Sequence, residues 1–148
     1  MSLKIREARG SDLEVAARLL TAQLVEHHLP ADATGVARGI ELAMASPGTA
    51  WLLMALREDE AVGVFLANEI VSVEKSGRVL WVEELYVVPS ARRQGVARAI
   101  LEYVAAQARR RGIVAIELEV VPTQEAAFAL YRSMGFVDVE RRRMSWGM

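Results

Sequence analysis

The sequence has no cysteine, which excludes disulfides, thiolate nucleophiles and cysteine-ligated metal. Its two histidines, His27 and His28, are adjacent, too few for a conventional transition-metal site, so no metal is expected. Charge of one sign is also lacking. Eighteen basic residues stand against nineteen acidic ones, for a formal charge of −1. Without a positive field over the whole chain, nucleic acid is not an expected partner, despite the local clusters Arg92-Arg93, Arg109-Arg110-Arg111 and Arg141-Arg142-Arg143. No apolar leader opens the sequence and no charge-free run reaches membrane-spanning length. A soluble, cytoplasmic protein with no membrane partner is expected. Neither GxGxxG nor a Gly-rich loop ending in Gly-Lys-Ser or Gly-Lys-Thr occurs, which argues against nicotinamide binding and nucleotide hydrolysis. Internal repeats and low-complexity tails are missing too, so the chemistry has to fit one fold.

What is present suits that fold. With 148 residues, 53% of them hydrophobic, and no linker-like stretch, the chain reads as a single domain over residues 1–148 with a sizeable core. The pattern is mixed α/β. A short strand at 3–8 leads to Ser11-Asp12-Leu13-Glu14, which reads as a capping box, and Leu13, Ala16, Ala17, Leu20 and Leu24 continue with helical spacing as far as His27 or His28. Pro30 breaks this pattern, and a second helix over 32–45 closes at Pro47-Gly48. Strand patterns at 51–56, 62–73 and 79–88 form an antiparallel meander. A helix over 95–110 then crosses to a strand at 114–121, a βαβ connection that implies parallel neighbours. A helix over 124–134, capped by Gly135, precedes a final strand or hairpin through 136–146.

The stretch from Leu85 to Ala97 ends a strand, crosses a basic turn and opens a helix. Pro89 has no donor for the sheet, so the strand stops there. Uncovered amides at a helix start bind anions without a metal. Gly95 and Ala97 keep that backbone bare, and Arg92 and Arg93 add positive charge. The stretch reads either as a seat for a pyrophosphate or as a solvated basic turn.

Arg92-Arg93-Gln94-Gly95-Val96-Ala97 matches the pattern Gln/Arg-x-x-Gly-x-Gly/Ala, and Leu130-Tyr131-Arg132-Ser133-Met134-Gly135-Phe136 forms a second, separate motif. With the meander and crossover, these motifs resemble the GNAT superfamily of acyl-coenzyme A dependent N-acetyltransferases over almost the whole chain. The resemblance implies a GNAT-like mixed sheet with helices on both faces and acetyl-coenzyme A as cofactor. It assigns the pyrophosphate to Arg92, Arg93, Gln94, Gly95, Val96 and Ala97, and the pantetheine arm to main-chain groups of Leu85, Tyr86, Val87 and Val88. A bulge would splay this strand from 114–121, which forms the other wall. Tyr131 stands where relatives protonate the departing thiolate. Gln124 stands where many have an asparagine, with its amide one methylene further out.

Transfer to an amine also requires a proton acceptor. Glu83 and Glu84 precede the motif on consecutive strand positions and therefore face opposite ways unless a bulge intervenes. Glu83 is assigned to proton transfer, with Glu84 as the alternative on the acceptor side. Glu117 and Glu119 alternate with Ile116, Leu118 and Val120, and they either border the acceptor groove or form a solvated strand face. His27 and His28 either line the same groove or simply end a helix. The expected reaction moves acetyl to a primary amine by direct attack in a ternary complex, with no acyl-enzyme. The rival expectation is an acyl-coenzyme A binding or regulatory protein with weak or lost activity. The acceptor is a small-molecule or protein amine. The sequence is compatible with a homodimer through Trp146 and the terminal strand or with a monomer.

Overall fold

A computed structural model describes residues 2–148, in two compact units: one ending at Leu118, the other Glu119–Met148. The first unit contains β1 (Leu3–Glu7), α1 (Leu13–Glu26), α2 (Ala33–Met44), β2 (Ala50–Arg57), β3 (Glu60–Ser72), β4 (Gly77–Val87), α3 (Val96–Arg110) and β5 (Ala115–Leu118). They form one five-stranded sheet in the order β1-β2-β3-β4-β5. Neighbours from β1 to β4 are antiparallel, and β5 runs parallel to β4. The expected meander and crossover are both present.

β2 reads Ala-Trp-Leu-Leu-Met-Ala-Leu-Arg and is buried from Trp51 to Ala55, a run without alternation because helices cover both faces of the sheet. On one face, Ala16, Leu19 and Leu20 of α1 and Ile40 of α2 pack with Leu52, Met54, Val64 and Tyr86. On the other, α3 buries Val96, Ile100, Leu101, Val104 and Ala108, an amphipathic stripe with arginines on its far side. Its approach to β3 is close. A Cβ on Gly63 would lie 3.2 Å from Ile100 Cδ1 and 3.2 Å from the Tyr86 carbonyl oxygen.

The start of α1 differs from the expected capping box. Asp12, not Ser11, organises the turn. Its carboxylate accepts the Arg9 backbone N–H at 2.6 Å and a two-pronged contact from Arg6 at 2.7 and 3.1 Å. The Arg6 guanidinium holds the Asp12 carboxyl below its ordinary range. β5 is also shorter than the expected 114–121, ending at Leu118.

The second unit contains α4 (Glu125–Ser133). Its end is a Schellman turn: Phe136 N–H reaches the Tyr131 carbonyl at 3.0 Å, Gly135 N–H reaches that of Arg132 at 3.1 Å, and Gly135 has φ 104°. The Tyr131 and Phe136 rings meet at 5.6 Å between centroids, the apolar contact that accompanies this cap. The expected final strand or hairpin over 136–146 does not form. Arg141 N–H turns back on the Val139 carbonyl at 2.9 Å. Val137, Val139, Met144 and Trp146 are exposed, so no buried face rewards an extended segment.

Candidate active site

The register of β3 against β4 slips by one residue at Glu83. Leu66 lies opposite Glu84, the next residue, Ala67, lies opposite Val82, and Glu83 has no partner. This is the β-bulge implied by the motif resemblance. β5 pairs with Val79 to Val82 and stops where the bulge begins. From Glu84 onward, among the described residues, β4 pairs with a strand on its β3 side alone.

One contact fixes which groups face the open edge. Val88 N–H bonds the Val62 carbonyl at 2.9 Å, so Tyr86 and Glu84, in the same register, also turn toward β3, and Leu85 and Val87 turn outward. Two side chains corroborate this. Gln23 Nε2 of α1 donates to the Leu85 carbonyl at 3.3 Å, and Arg92 Nε donates to the Val87 carbonyl at 2.9 Å. Both outward carbonyls thus have donors, and the N–H groups of Leu85 and Val87 face the edge.

The turn after β4 is built to leave amides bare. Arg93 has φ 61° and Gly95 φ 79°. Gly95 is the N-cap of α3, and no side chain caps that helix, so its first-turn amides and its dipole are open to an anion. Holding a non-glycine such as Arg93 in this region costs about 1 kcal/mol or more, a strain that clusters at ligand sites. Gln94 pins the turn: its Nε2 donates to the Ser90 carbonyl at 3.1 Å, and its Oε1 accepts from Arg57 at 2.5 Å. Arg92 pairs with Glu26 at the end of α1. A bare helix start beside a half-bonded strand edge suits a diphosphate followed by an amide-bearing arm, and in that sense the residues fit coenzyme A.

The two carboxylates at the bulge are placed differently. Glu83 is exposed and accepts Trp81 Nε1–H at 3.0 Å. Glu84 lies on the sheet face that α1 and α2 cover, two residues before buried Tyr86. Burial, reinforced by the charge of Glu83, pushes its pKa up to about 7. Glu117 is half-buried in β5 beside Trp81, while Glu119, in the second unit, pairs with Arg143. His27 caps the C-terminus of α1, and both histidines are exposed.

Tyr131 and Gln124 belong to the second unit. Burial pushes the Tyr131 phenol up, so it keeps its proton. Gln124 is the N-cap of α4, and its carbonyl accepts Phe128 N–H at 3.0 Å.

Two contributors in α1 escaped the sequence reading. Gln23 had a signal, since it falls on the helical stripe of Ala16, Leu19 and Leu20 where an apolar residue belongs. Glu26 had none, because an acid at a helix end reads as solvated surface. Two concavities, of about 430 and about 750 Å³, lie beside Trp51, Tyr103 and Arg111 and along the exposed side of α1 and α2. Neither includes the bulge or the basic turn.

A model of the acetyltransferase (GNAT) family matches residues 17–136. No curated protein matches the chain. Among solved structures, a possible acetyltransferase from Clostridium difficile 630 is similar at TM-score 0.87 and 21% identity, over 100% of this chain and 99% of that one. A predicted acetyltransferase with acetyl-CoA from Clostridium acetobutylicum is similar at TM-score 0.81 and 18% identity, over 97% and 96%. AAC(6')-Iy, in complex with the bisubstrate analog CoA-S-monomethyl-acetylneamine, is similar at TM-score 0.80 and 24% identity, over 100% and 99%. The family match takes in the bulged strand, the basic turn and the tyrosine-bearing helix together, and this chain belongs to the acetyltransferase (GNAT) family, whose acyl donor is acetyl-coenzyme A.

Proposed function

We propose that this protein is an N-acetyltransferase that moves acetyl from acetyl-coenzyme A to a primary amine by direct attack in a ternary complex. The observation that carries this reading is the slip at Glu83, which ends β5 pairing at Val82 and turns the N–H groups of Leu85 and Val87 to an open edge beside the bare start of α3. Acetyl-coenzyme A supplies the acyl group as an activated thioester. The amides of Val96 and Ala97, with Gly95 and the cationic Arg93, seat its diphosphate; Arg92 and Gln94 hold the turn in place. Of the stretch from Leu85 to Val88, the outward main chain of Leu85 and Val87 receives the arm, and its N–H groups stabilise charge developing on the acyl oxygen.

An alkylamine with pKa near ~10.4 must lose a proton before it attacks, which at neutral pH costs about 5 kcal/mol. One of the two carboxylates at the bulge takes that proton. The pKa of about 7 supports Glu84 in the role; Glu83, the first assignment, is exposed and engaged by Trp81. Tyr131, protonated by virtue of its burial, gives its proton to the departing thiolate. In this reading the two units work as one domain, Gln124 contacts the arm, and the acceptor is a small-molecule or protein amine. A cytoplasmic homodimer, joined through the C-terminal segment with its exposed Met144 and Trp146, completes it.

The test is release of free coenzyme A across a panel of amines. Turnover that drops in Glu84→Gln and Tyr131→Phe, with acetyl-coenzyme A binding retained, supports the assignments. Cofactor binding with no turnover on any amine would favour the rival, an acyl-coenzyme A binding or regulatory protein.

A further inference from the structure

Gln23 occupies a position on α1 where the helix otherwise buries Ala16, Leu19 and Leu20. It is 8% exposed. A buried amide is tolerated when both of its ends are bonded, and here only one is. Nε2 donates to the Leu85 carbonyl, and since only the amino end of an amide can meet a carbonyl, this contact fixes which way the group faces. Oε1 is left buried with no hydrogen-bond partner among the described residues.

The location gives that orphan acceptor a meaning. Leu85 is the first outward-facing residue after the bulge, and Glu84, its neighbour, directs its side chain to the sheet face that α1 covers. On the α1 side, next to the open edge, there are therefore two acceptors, an amide oxygen that is buried in this structure and a carboxyl group. A primary amine is the complement, because it carries more than one N–H. We propose that Gln23 is an acceptor-binding residue whose Oε1 takes one N–H of the incoming primary amine while Glu84 faces another. This rests on the transferase reading above. A neutral amide fits this role because it orients the nitrogen without stabilising the ammonium form, which an additional carboxylate would do.

The peptide-like N–H groups of the cofactor arm share this donor chemistry, so binding of each ligand has to be read separately. Butylamine, spermidine and a short peptide with a free N-terminus are titrated calorimetrically into protein saturated with coenzyme A, and acetyl-coenzyme A is titrated on its own. For the amine that binds, Gln23→Leu and Gln23→Met are expected to weaken binding at least tenfold and leave acetyl-coenzyme A affinity within twofold. Gln23→Glu is expected to keep or tighten amine binding while kcat falls at least tenfold. Thermal melting near that of the wild type confirms that the variants fold. Unchanged amine affinity in Gln23→Leu and Gln23→Met would overturn the proposal, as would a loss confined to acetyl-coenzyme A or failure of all three amines to bind the wild type. Amine binding that depends on Gln23 without any coenzyme A release would leave this inference standing and sink the transferase reading alone.

Discussion

Arg92 and Glu26, 66 residues apart in sequence, form a two-pronged ion pair with both N···O distances at 2.7 Å. The same guanidinium bonds the Val87 carbonyl and sits 5.5 Å from the centre of the Tyr86 ring. One side chain thus ties the end of α1, the end of β4 and the first residue of the basic turn together. Glu26 meets its charge, while Arg93 has no partner among the described residues.

Glu26→Gln separates holding the turn from holding the fold. Both side chains are more than a third exposed, 42% for Arg92 and 36% for Glu26, so solvent screening limits the pair to about 1 kcal/mol of stability. The expected outcome is a small fall in denaturant midpoint and a several-fold weaker affinity for coenzyme A. The pair also has a pH signature. Arg92 holds the Glu26 carboxyl below its ordinary value of 4.5, so the stabilisation is present above the unfolded pKa and is lost as pH falls through the folded one. Urea unfolding of wild type and variant should differ at pH 7 and converge at strongly acid pH.

Glu84 has the opposite sign. Its folded pKa of about 7 lies above the ordinary 4.5, so between these values the folded state holds a proton that the unfolded state has lost, and stability falls as pH rises through the window. Glu84→Gln should remove that slope and be more stable than wild type at pH 8, by up to about 3 kcal/mol on linkage arithmetic. In kinetics, the wild type should show a limb in kcat/KM that rises with an apparent pKa near 7 and vanishes in Glu84→Gln. A stability slope without that kinetic limb would make Glu84 a buried acid with no part in proton transfer.

Two glycines near the site should fail in different ways when replaced by alanine. At Gly95 an added Cβ meets nothing within 4 Å, but φ is 79°, so the cost is backbone strain of about 1–2 kcal/mol. The strain falls on the turn that presents the α3 amides, and affinity for coenzyme A should drop by more than the melting point suggests. At Gly63 the new methyl would press on the Tyr86 carbonyl and Ile100 Cδ1, each at 3.2 Å, and the backbone oxygen has little room to yield. Gly63→Ala should destabilise the docking of α3 by about 1–3 kcal/mol, while the fraction that stays folded binds the cofactor normally. Calorimetry of both variants at a temperature where each is folded distinguishes the two cases.

The parts of this arrangement that were legible in sequence are those fixed by local pattern. Pro89 and Gly95 mark the turn, the stripe from Ile100 to Ala108 marks α3, and Gly135 marks the end of α4. The position of the bulge was not legible, because Glu83-Glu84 is compatible with either residue being the extra one until β3 supplies a register. Contacts between distant segments were hidden for the same reason. Neither Glu26 nor Gln23 is near the motif in the chain, and α1 brings them there only after folding. The expected terminal strand failed for want of a partner: the residues around Val137 and Val139 have strand-forming side chains, but nothing buries them.

Tyr131→Phe tests the proton donor with little structural disturbance. The phenol ring contacts Phe136, and the Tyr131 carbonyl receives Phe136 N–H in the Schellman turn; a phenylalanine keeps both features. What it removes is the hydroxyl, which burial keeps protonated beyond its ordinary range. If Tyr131 protonates the leaving thiolate, kcat should fall by about 10²-fold, in the range of general acid catalysis, with acetyl-coenzyme A affinity unchanged. The loss should be smaller with an acyl donor whose thiol is more acidic, because such a leaving group needs less help. Equal losses for both donors would assign the hydroxyl to binding or packing instead, and an unchanged kcat would remove Tyr131 from the mechanism.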